Sequence, residues 1–126
     1  MAREIVNVSR LPSVNPTYSQ AVKANGFVFV AGQIGIDPIT GKLISEGIEE
    51  QTKQTLDNIV EILNAAGSSM ERVVSTSLYL TEFEQLNRVN AIYGQYFRKN
   101  GPAKFACGVS ALYGGAKIEI QAVALA

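Results

Sequence analysis

Apolar residues recur with two spacings along this chain, and each spacing predicts one type of element. Runs rich in valine, phenylalanine and isoleucine predict strands over residues 4–8, 27–36, 72–81, 104–112 and 117–125. Spacings of three and four predict a first helix that ends at Gly67; its apolar positions are Ile48, Leu56, Ile59, Val60 and Leu63. A second helix is predicted up to residues 100–102, with a stripe formed by Phe83, Leu86, Val89, Tyr93 and Phe97.

The predicted element order is β-β-α-β-α-β-β. It indicates one α+β domain over residues 1–126, with a single mixed sheet and two helices on one of its faces. Two helices cannot cover both faces of such a sheet. The last strands carry few charges, so we expect the uncovered face to be buried by oligomerisation. Gly114 and Gly115 are expected to form a hairpin turn between the last two strands.

Charge and composition remove several classes of function. Eleven cations balance eleven anions, and this balance argues against a nucleic-acid partner, which requires an excess of Lys and Arg. Histidine is absent, which excludes histidine bases, histidine-activated nucleophiles and most zinc sites. The single cysteine, Cys107, cannot form an internal disulfide and fits a reducing compartment.

The N-terminal residues and the longest apolar runs bear on the cellular setting. Residues 1–10 have no apolar core of the kind that a signal peptide carries. No apolar run approaches the ~20 residues that are needed to span a bilayer. We therefore expect a soluble cytoplasmic protein with no membrane partner.

Lys104 and Glu119 are the two charged residues whose placement is unusual. Lys104 heads a strand face that continues with Ala106 and Gly108, and these small side chains leave space above the backbone. Most lysines in such a position are solvated residues on an edge strand, where their charge prevents aggregation, and this is the simpler interpretation of Lys104. Glu119 lies in an alternating strand, where an exposed polar face is the simpler interpretation and a base or a water-holding group is the functional one.

The two residues would share a face if Gly114 and Gly115 form a two-residue turn. That register places Glu119 opposite Ser110, about 20 Å from Lys104 at ~3.3 Å per residue. Cooperation between Lys104 and Glu119 would then require a different register or residues from two subunits.

Asn90 and Cys107 are the remaining polar candidates. Asn90 falls on the apolar face of the second helix, where a structural amide and a ligand contact are both possible. The alternation of the strand groups Cys107 with Phe105 and Val109, toward the predicted core. A buried free cysteine without a histidine to activate it is expected to be an inert small side chain.

Six segments together resemble the RidA (YjgF, reactive intermediate deaminase) family nearly from end to end. They are "PTYSQAV" at 16–22, "FVFVAGQIGIDPITGKL" at 27–43, "IEEQTKQTLDNIVEILNAAGSS" at 48–69, "VNAIYGQYF" at 89–97, "GPAK" at 101–104 and "KIEIQAVA" at 117–124. The resemblance implies a chorismate-mutase-like fold and a homotrimer. Its three sheets face inward as a barrel, with ligand clefts between subunits.

The resemblance also implies an activity and a set of residues. Deaminating members hydrolyse 2-imino or 2-enamino acids to 2-keto acids and ammonia, with no cofactor and no metal. By position, the carboxylate-binding residue is Lys104 and the glutamate that places the attacking water is Glu119. Substrate contacts carry over to Tyr18, Ala31, Gly32, Asn90, Phe105 and Ala106.

This chain departs from the family pattern at the carboxylate-binding position. The family has an arginine in a P-A-R motif, and here the residue is Lys104, followed by Phe105 where the family has Ser or Thr. Lysine keeps the positive charge but loses the planar, two-pronged geometry. Three hypotheses follow: an imine deaminase, a non-catalytic trimeric binder of small 2-imino or 2-keto carboxylates, and a ribonuclease of the kind reported for some relatives.

Overall fold

The computed structural model describes residues 2–12 and 16–126 and consists of one mixed sheet with two helices. The strands are β1 (Glu4–Val6), β2 (Ala21–Ala24), β3 (Phe27–Gln33), β4 (Val73–Leu80), β5 (Ala103–Gly108) and β6 (Ile118–Leu125). The helices are α1 (Ile48–Ala65) and α2 (Leu86–Tyr96). The strand order in the sheet is β1-β2-β3-β6-β4-β5. The predicted α+β class, with a single mixed sheet and two helices, is confirmed.

Strand β2 was not predicted, and the turn that follows it explains why it forms. Asn25 and Gly26 both have positive φ, 54° and 84°. Ala24 and Phe27 pair across them, so the two residues form the tight loop of a β-hairpin. Asn-Gly between two apolar runs is the strongest local hairpin signal, and it was available in the sequence.

The predicted hairpin between the last two strands is wrong. Strand β4 lies between β5 and β6, pairs in parallel with β5 and is antiparallel to β6. Gly114 and Gly115, with φ of 68° and 75°, lie instead in a 3₁₀ turn at Tyr113–Gly115. The physical reason is the β4–α2–β5 connection, because a strand, a helix and a returning strand form a parallel crossover unit.

Both helices pack on one face of the sheet, and the core lies between these layers. Fully buried side chains come from both helices and from the strands; the largest include Leu56, Ile59, Ile62, Leu63, Leu78, Leu80, Val89, Ile118 and Ile120. Gly35, just after β3, permits the close approach of α1. A Cβ atom at Gly35 would lie 2.7 Å from the backbone oxygen of Gln51.

The opposite face of the sheet carries no helix from residues 2–12 and 16–126, as the element count predicts. We call it the open face. It presents several large apolar side chains that are 42–53 % exposed, namely Ile5, Phe29, Phe105 and Leu125. No helix in the described part of the chain has the length and apolar character needed to cross a membrane.

Candidate functional site

A bulge in β3 brings Gly32 beneath the carboxylate of Glu119. Val30 pairs with Ala122 and Gln33 pairs with Ile120, so Ala31 and Gly32 occupy the space opposite one residue of β6. A Cβ atom at position 32 would lie 2.0 Å from Glu119 Oε2. Only glycine leaves room for the carboxylate there.

Glu119 lies on the open face and borders a cleft of about 400 Å³. The cleft is lined by Tyr18, Gly32, Ile34, Tyr113 and Glu119. Burial raises the pKa of the Glu119 carboxyl above its ordinary value. A carboxylate with a raised pKa is a better proton acceptor, and this one stands where a water molecule could reach it.

The loop that carries Tyr18 is fixed by the buried side chain of Gln20. The Gln20 side-chain oxygen accepts a hydrogen bond from the Val8 backbone N–H at 2.7 Å, and its amide nitrogen donates to the carbonyls of Val8 and Pro12 at 3.3 Å. The Gln20 carbonyl accepts the Ala31 N–H at 2.8 Å. Gln20 therefore ties the Tyr18 loop to the β3 bulge, which places Tyr18 beside Gly32.

Lys104 lies at the start of edge strand β5, against helix α2. Its ammonium group donates a hydrogen bond to Asn90 Oδ1 and stands 4.6 Å from the centre of the Tyr93 ring. Burial lowers the pKa of the Lys104 amine from its ordinary value. Asn90 therefore contacts Lys104 itself, and among the described residues no carboxylate forms an ion pair with this lysine.

The expectation that Glu119 and Lys104 share a face is wrong. In the sheet register Lys104 lies beside Thr76 and Glu119 beside Tyr79. Thr76 is buried beneath α2, whereas Tyr79 is on the open face. Three residues along and two strands across separate the two Cα atoms by roughly 14 Å, given ~3.3 Å per residue and ~4.8 Å between strands.

The two faces of β5 are also reversed relative to the sequence prediction. Phe105 is 53 % exposed on the open face, with its ring 6.1 Å from the Tyr79 ring, and Cys107 is half-buried opposite Tyr79. Ala106 instead packs against the core. Gly108 permits the close approach of Phe83, in the 3₁₀ turn before α2, because a Cβ atom at Gly108 would lie 3.3 Å from Phe83 Cβ.

The predicted site residues thus form two separate groups within one chain. The Glu119 group contains Tyr18, Ala31, Gly32 and Glu119, and the Lys104 group contains Asn90, Lys104 and Ala106. Phe105 extends from β5 toward the open face. Tyr113 and Tyr93 were not among the predicted site residues. Tyr113, before two glycines with positive φ, is 85 % exposed at the cleft, and only the tertiary structure shows it.

Metal-ligating side chains do not converge in either group. Within residues 2–12 and 16–126, no three His, Cys, Asp or Glu side chains come close enough to hold a metal ion. The Glu119 group provides one carboxylate in an open cleft, and the Lys104 group provides one ammonium group held by α2. The carboxylate can accept a proton, and the ammonium group can bind an anion.

Comparison with known proteins places this chain in a family. The family model for endoribonuclease L-PSP matches residues 7–126. A human 2-iminobutanoate/2-iminopropanoate deaminase is 43 % identical over 99 % of this chain and 91 % of its own length. The crystal structure of the Rid-family protein YyfA from Yersinia pestis matches with a TM-score of 0.94, at 38 % identity over 99 % of this chain and all of that one.

A further solved structure similar to this chain contains a ligand. Escherichia coli TdcF, crystallised with bound serine, matches with a TM-score of 0.91 at 28 % identity, over 98 % of each chain. Taken with the family match over nearly the whole chain, this chain belongs to the endoribonuclease L-PSP family, which includes the RidA (YjgF) proteins.

Proposed function

We propose that this protein hydrolyses reactive 2-imino and 2-enamino acids to 2-keto acids and ammonia. The observation that carries the proposal is the Glu119 carboxylate, held in an open cleft against Gly32 with a raised pKa. A human relative at 43 % identity bears the name of such a deaminase. The serine bound to TdcF is also a small molecule with a carboxylate next to a carbon that bears nitrogen.

The active unit we propose is a homotrimer in which each cleft lies between two subunits. Within one chain, Lys104 and Glu119 lie on opposite faces of the sheet and roughly 14 Å apart, which is too far to hold one small substrate. The open face carries exposed apolar side chains, including Phe29, Phe105 and Leu125, that a second subunit could cover. We place the Glu119 group of one subunit beside the β5 edge of the next, the edge strand that carries Lys104.

The proposed reaction needs only these two groups and a water molecule. Lys104 binds the substrate carboxylate, and Tyr18 and Asn90 border the bound molecule. Glu119 takes a proton from water as the water oxygen attacks C2 of the protonated imine, which forms a tetrahedral amino alcohol. Glu119 then gives that proton to the amino nitrogen, and ammonia leaves as the hydroxyl proton passes back to Glu119 and C2–O becomes the carbonyl of the 2-keto acid. We place this activity in the cytoplasm, where Cys107 stays reduced.

Stopped-flow measurement of 2-iminobutanoate hydrolysis tests the proposal. An amino-acid oxidase or a threonine dehydratase generates the imine in place, and the protein should accelerate its loss over the spontaneous rate. Pyruvate binding without any acceleration would favour the non-catalytic carboxylate binder instead. A monomer by light scattering at micromolar concentration would contradict the intersubunit cleft.

The ribonuclease hypothesis is weaker for this chain. Its charges balance and it has no histidine, so it lacks both the electrostatic attraction for RNA and the usual acid–base residue. Incubation with a mixed-sequence single-stranded RNA should therefore yield no cleavage above a no-protein control.

A further inference from the structure

The ammonium group of Lys104 is held by protein contacts before any substrate arrives. A lysine side chain is long and flexible, and ordering it on ligand binding reduces affinity. Here the Nζ atom donates to Asn90 Oδ1 and stands 4.6 Å from the Tyr93 ring centroid. Asn90 and Tyr93 are three residues apart on α2, so they project from one side of the helix.

Tyr93 is itself fixed from two other directions. Its hydroxyl and the Thr76 hydroxyl are 2.7 Å apart, and its ring centroid lies 4.6 Å from that of Phe97. Its side chain is buried, with 7 % of the residue exposed. Thr76 is also the β4 neighbour of Lys104 in the sheet register, so β4 and α2 together hold the ring against the lysine.

The donors of the ammonium group can be counted. A lysine has three N–H groups; one points to Asn90 and the face of the Tyr93 ring attracts the cation from a second side. The two N–H donors that Asn90 does not use are left for a ligand. We propose that Tyr93 is a positioning residue, which holds Lys104 as a fixed anchor for the substrate carboxylate; this inference rests on the proposed function.

A double-mutant cycle on binding tests this role. Tyr93→Leu removes the aromatic ring, Lys104→Ala removes the cation, and pyruvate affinity is measured by titration calorimetry for both variants and for their combination. Tyr93→Leu should raise the pyruvate Kd about 3- to 10-fold when Lys104 is present, given the strength of a partly buried cation–π contact. In the Lys104→Ala background the same substitution should change Kd by less than about 2-fold.

Two further variants separate positioning from folding. Tyr96→Leu is the matched control, since Tyr96 lies on the same helix and bonds to Asp57, away from Lys104. It should leave the pyruvate Kd near the wild-type value. If Tyr93→Leu does not fold, Tyr93→Phe is compared with pentafluorophenylalanine at the same position; both lack the hydroxyl that meets Thr76, so the two variants differ mainly in the attraction of the ring for a cation. The fluorinated ring should raise Kd more than phenylalanine does.

The outcomes distinguish this inference from the proposed function. A Tyr93 effect of equal size with and without Lys104 overturns the positioning role, even if imine hydrolysis is observed. Wild-type protein that binds pyruvate without hydrolysing the imine contradicts the proposed activity, while the cycle on Kd still decides the role of Tyr93. Wild-type protein that neither binds nor hydrolyses overturns both.

Discussion

The Glu119 group and the Lys104 group are built in different ways. Glu119 lies on β6, which is paired on both sides by β3 and β4, and its carboxylate faces an open cleft of about 400 Å³. Lys104 lies on β5, an edge strand paired only with β4, and its ammonium already contacts Asn90 and Tyr93. The backbone of Glu119 is paired on both sides and its side chain faces an open cleft. The backbone of Lys104 is paired on one side, and its side chain is held by protein contacts.

Under the proposed function, this difference suits the two groups to different tasks. A proton acceptor must be placed accurately relative to the reacting atoms, and a strand paired on both sides supplies that accuracy. An anion anchor acts mainly through charge, which tolerates small displacements, so an edge strand is sufficient if the side chain is held. We therefore expect changes near Glu119 to lower turnover and changes near Lys104 to weaken binding.

The largest expected effect is that of Glu119→Gln. The amide cannot take a proton from water, so kcat for 2-iminobutanoate should fall about 10²- to 10⁴-fold, with little change in the Kd for pyruvate. Gln121→Ala is the control, because Gln121 lies two residues further on the same face of β6 and outside the cleft lining. A kcat within about threefold of wild type for Glu119→Gln would remove Glu119 from the chemistry.

The pH dependence follows from the same residue. Because burial raises the Glu119 pKa, the active carboxylate form should be lost as the pH falls through a value above that of an ordinary glutamate. The acid limb of kcat/KM should therefore appear at that raised value. The effect of Glu119 on stability runs the other way with pH. Because its pKa is raised, the native state binds the proton more tightly than the unfolded chain does, so this residue lowers the free energy of unfolding as the pH rises. Thermal unfolding should show Glu119→Gln to be at least as stable as wild type at neutral pH, with that advantage lost in acid.

The second effect in size is that of Gly32→Ala. The added methyl carbon would lie 2.0 Å from Glu119 Oε2, so the carboxylate must move. A displacement of about 1 Å in a catalytic group can cost about 10²-fold in rate, and we expect a kcat loss of roughly 10- to 100-fold. Gly94→Ala on α2 is the control, because among the described residues no atom beyond its chain neighbours and its own helix backbone lies within 4 Å of the position that its methyl carbon would take. A fully active Gly32→Ala variant would show that the contact with Glu119 is not used.

Lys104→Ala should have a smaller effect, and of a different kind. It removes the anchor for the carboxylate, so KM should rise about 10-fold while kcat falls less. Lys104→Arg should preserve or improve kcat/KM, because arginine restores two-pronged carboxylate binding. Lys99→Ala removes an exposed cation five residues earlier in the chain and should leave both constants unchanged. A lower kcat at constant KM for Lys104→Ala would assign Lys104 to the chemistry and remove the contrast with Glu119.

The smallest effect is expected for Cys107→Ser. Cys107 is half-buried on the open face, opposite Tyr79 and away from the Lys104 ammonium. Imine hydrolysis should change by less than about twofold, and light scattering should show the wild-type assembly. Loss of hydrolysis in a variant with unchanged assembly would contradict this prediction.

Much of the fold could be predicted because its signals are local. The apolar spacing in residues 48–63 and the stop at Gly67 predicted α1, which spans Ile48–Ala65 and is followed by Gly67 at a φ of 80°. The β-branched run at residues 72–81 predicted β4, which spans Val73–Leu80. Strand β2 was missed although Asn25-Gly26 is a local hairpin signal, so this strand could have been predicted from the sequence.

The errors at the site have a different origin. Strand alternation correctly grouped Lys104 with Ala106 and Phe105 with Cys107, but it could not tell which group faces the helices. A local interpretation of Gly114-Gly115 joined β5 to β6, whereas the structure inserts β4 between them. Tyr113 and Tyr93 were missed because their importance depends on neighbours distant in the sequence, Glu119 for the first and Lys104 for the second.

The sequence by itself determined the number and type of most elements, the residues that share each strand face, and the family resemblance that pointed to Lys104 and Glu119. Only the tertiary structure decided the strand order, the face that α2 covers, the approach of Gly32 to Glu119, and the contacts that hold Lys104. The reason is that the spacing of apolar residues shows whether one face of an element is apolar, and this spacing involves only residues close together in the sequence. The partner of that face depends on how the chain crosses over and packs, which is set by contacts between residues far apart in the sequence.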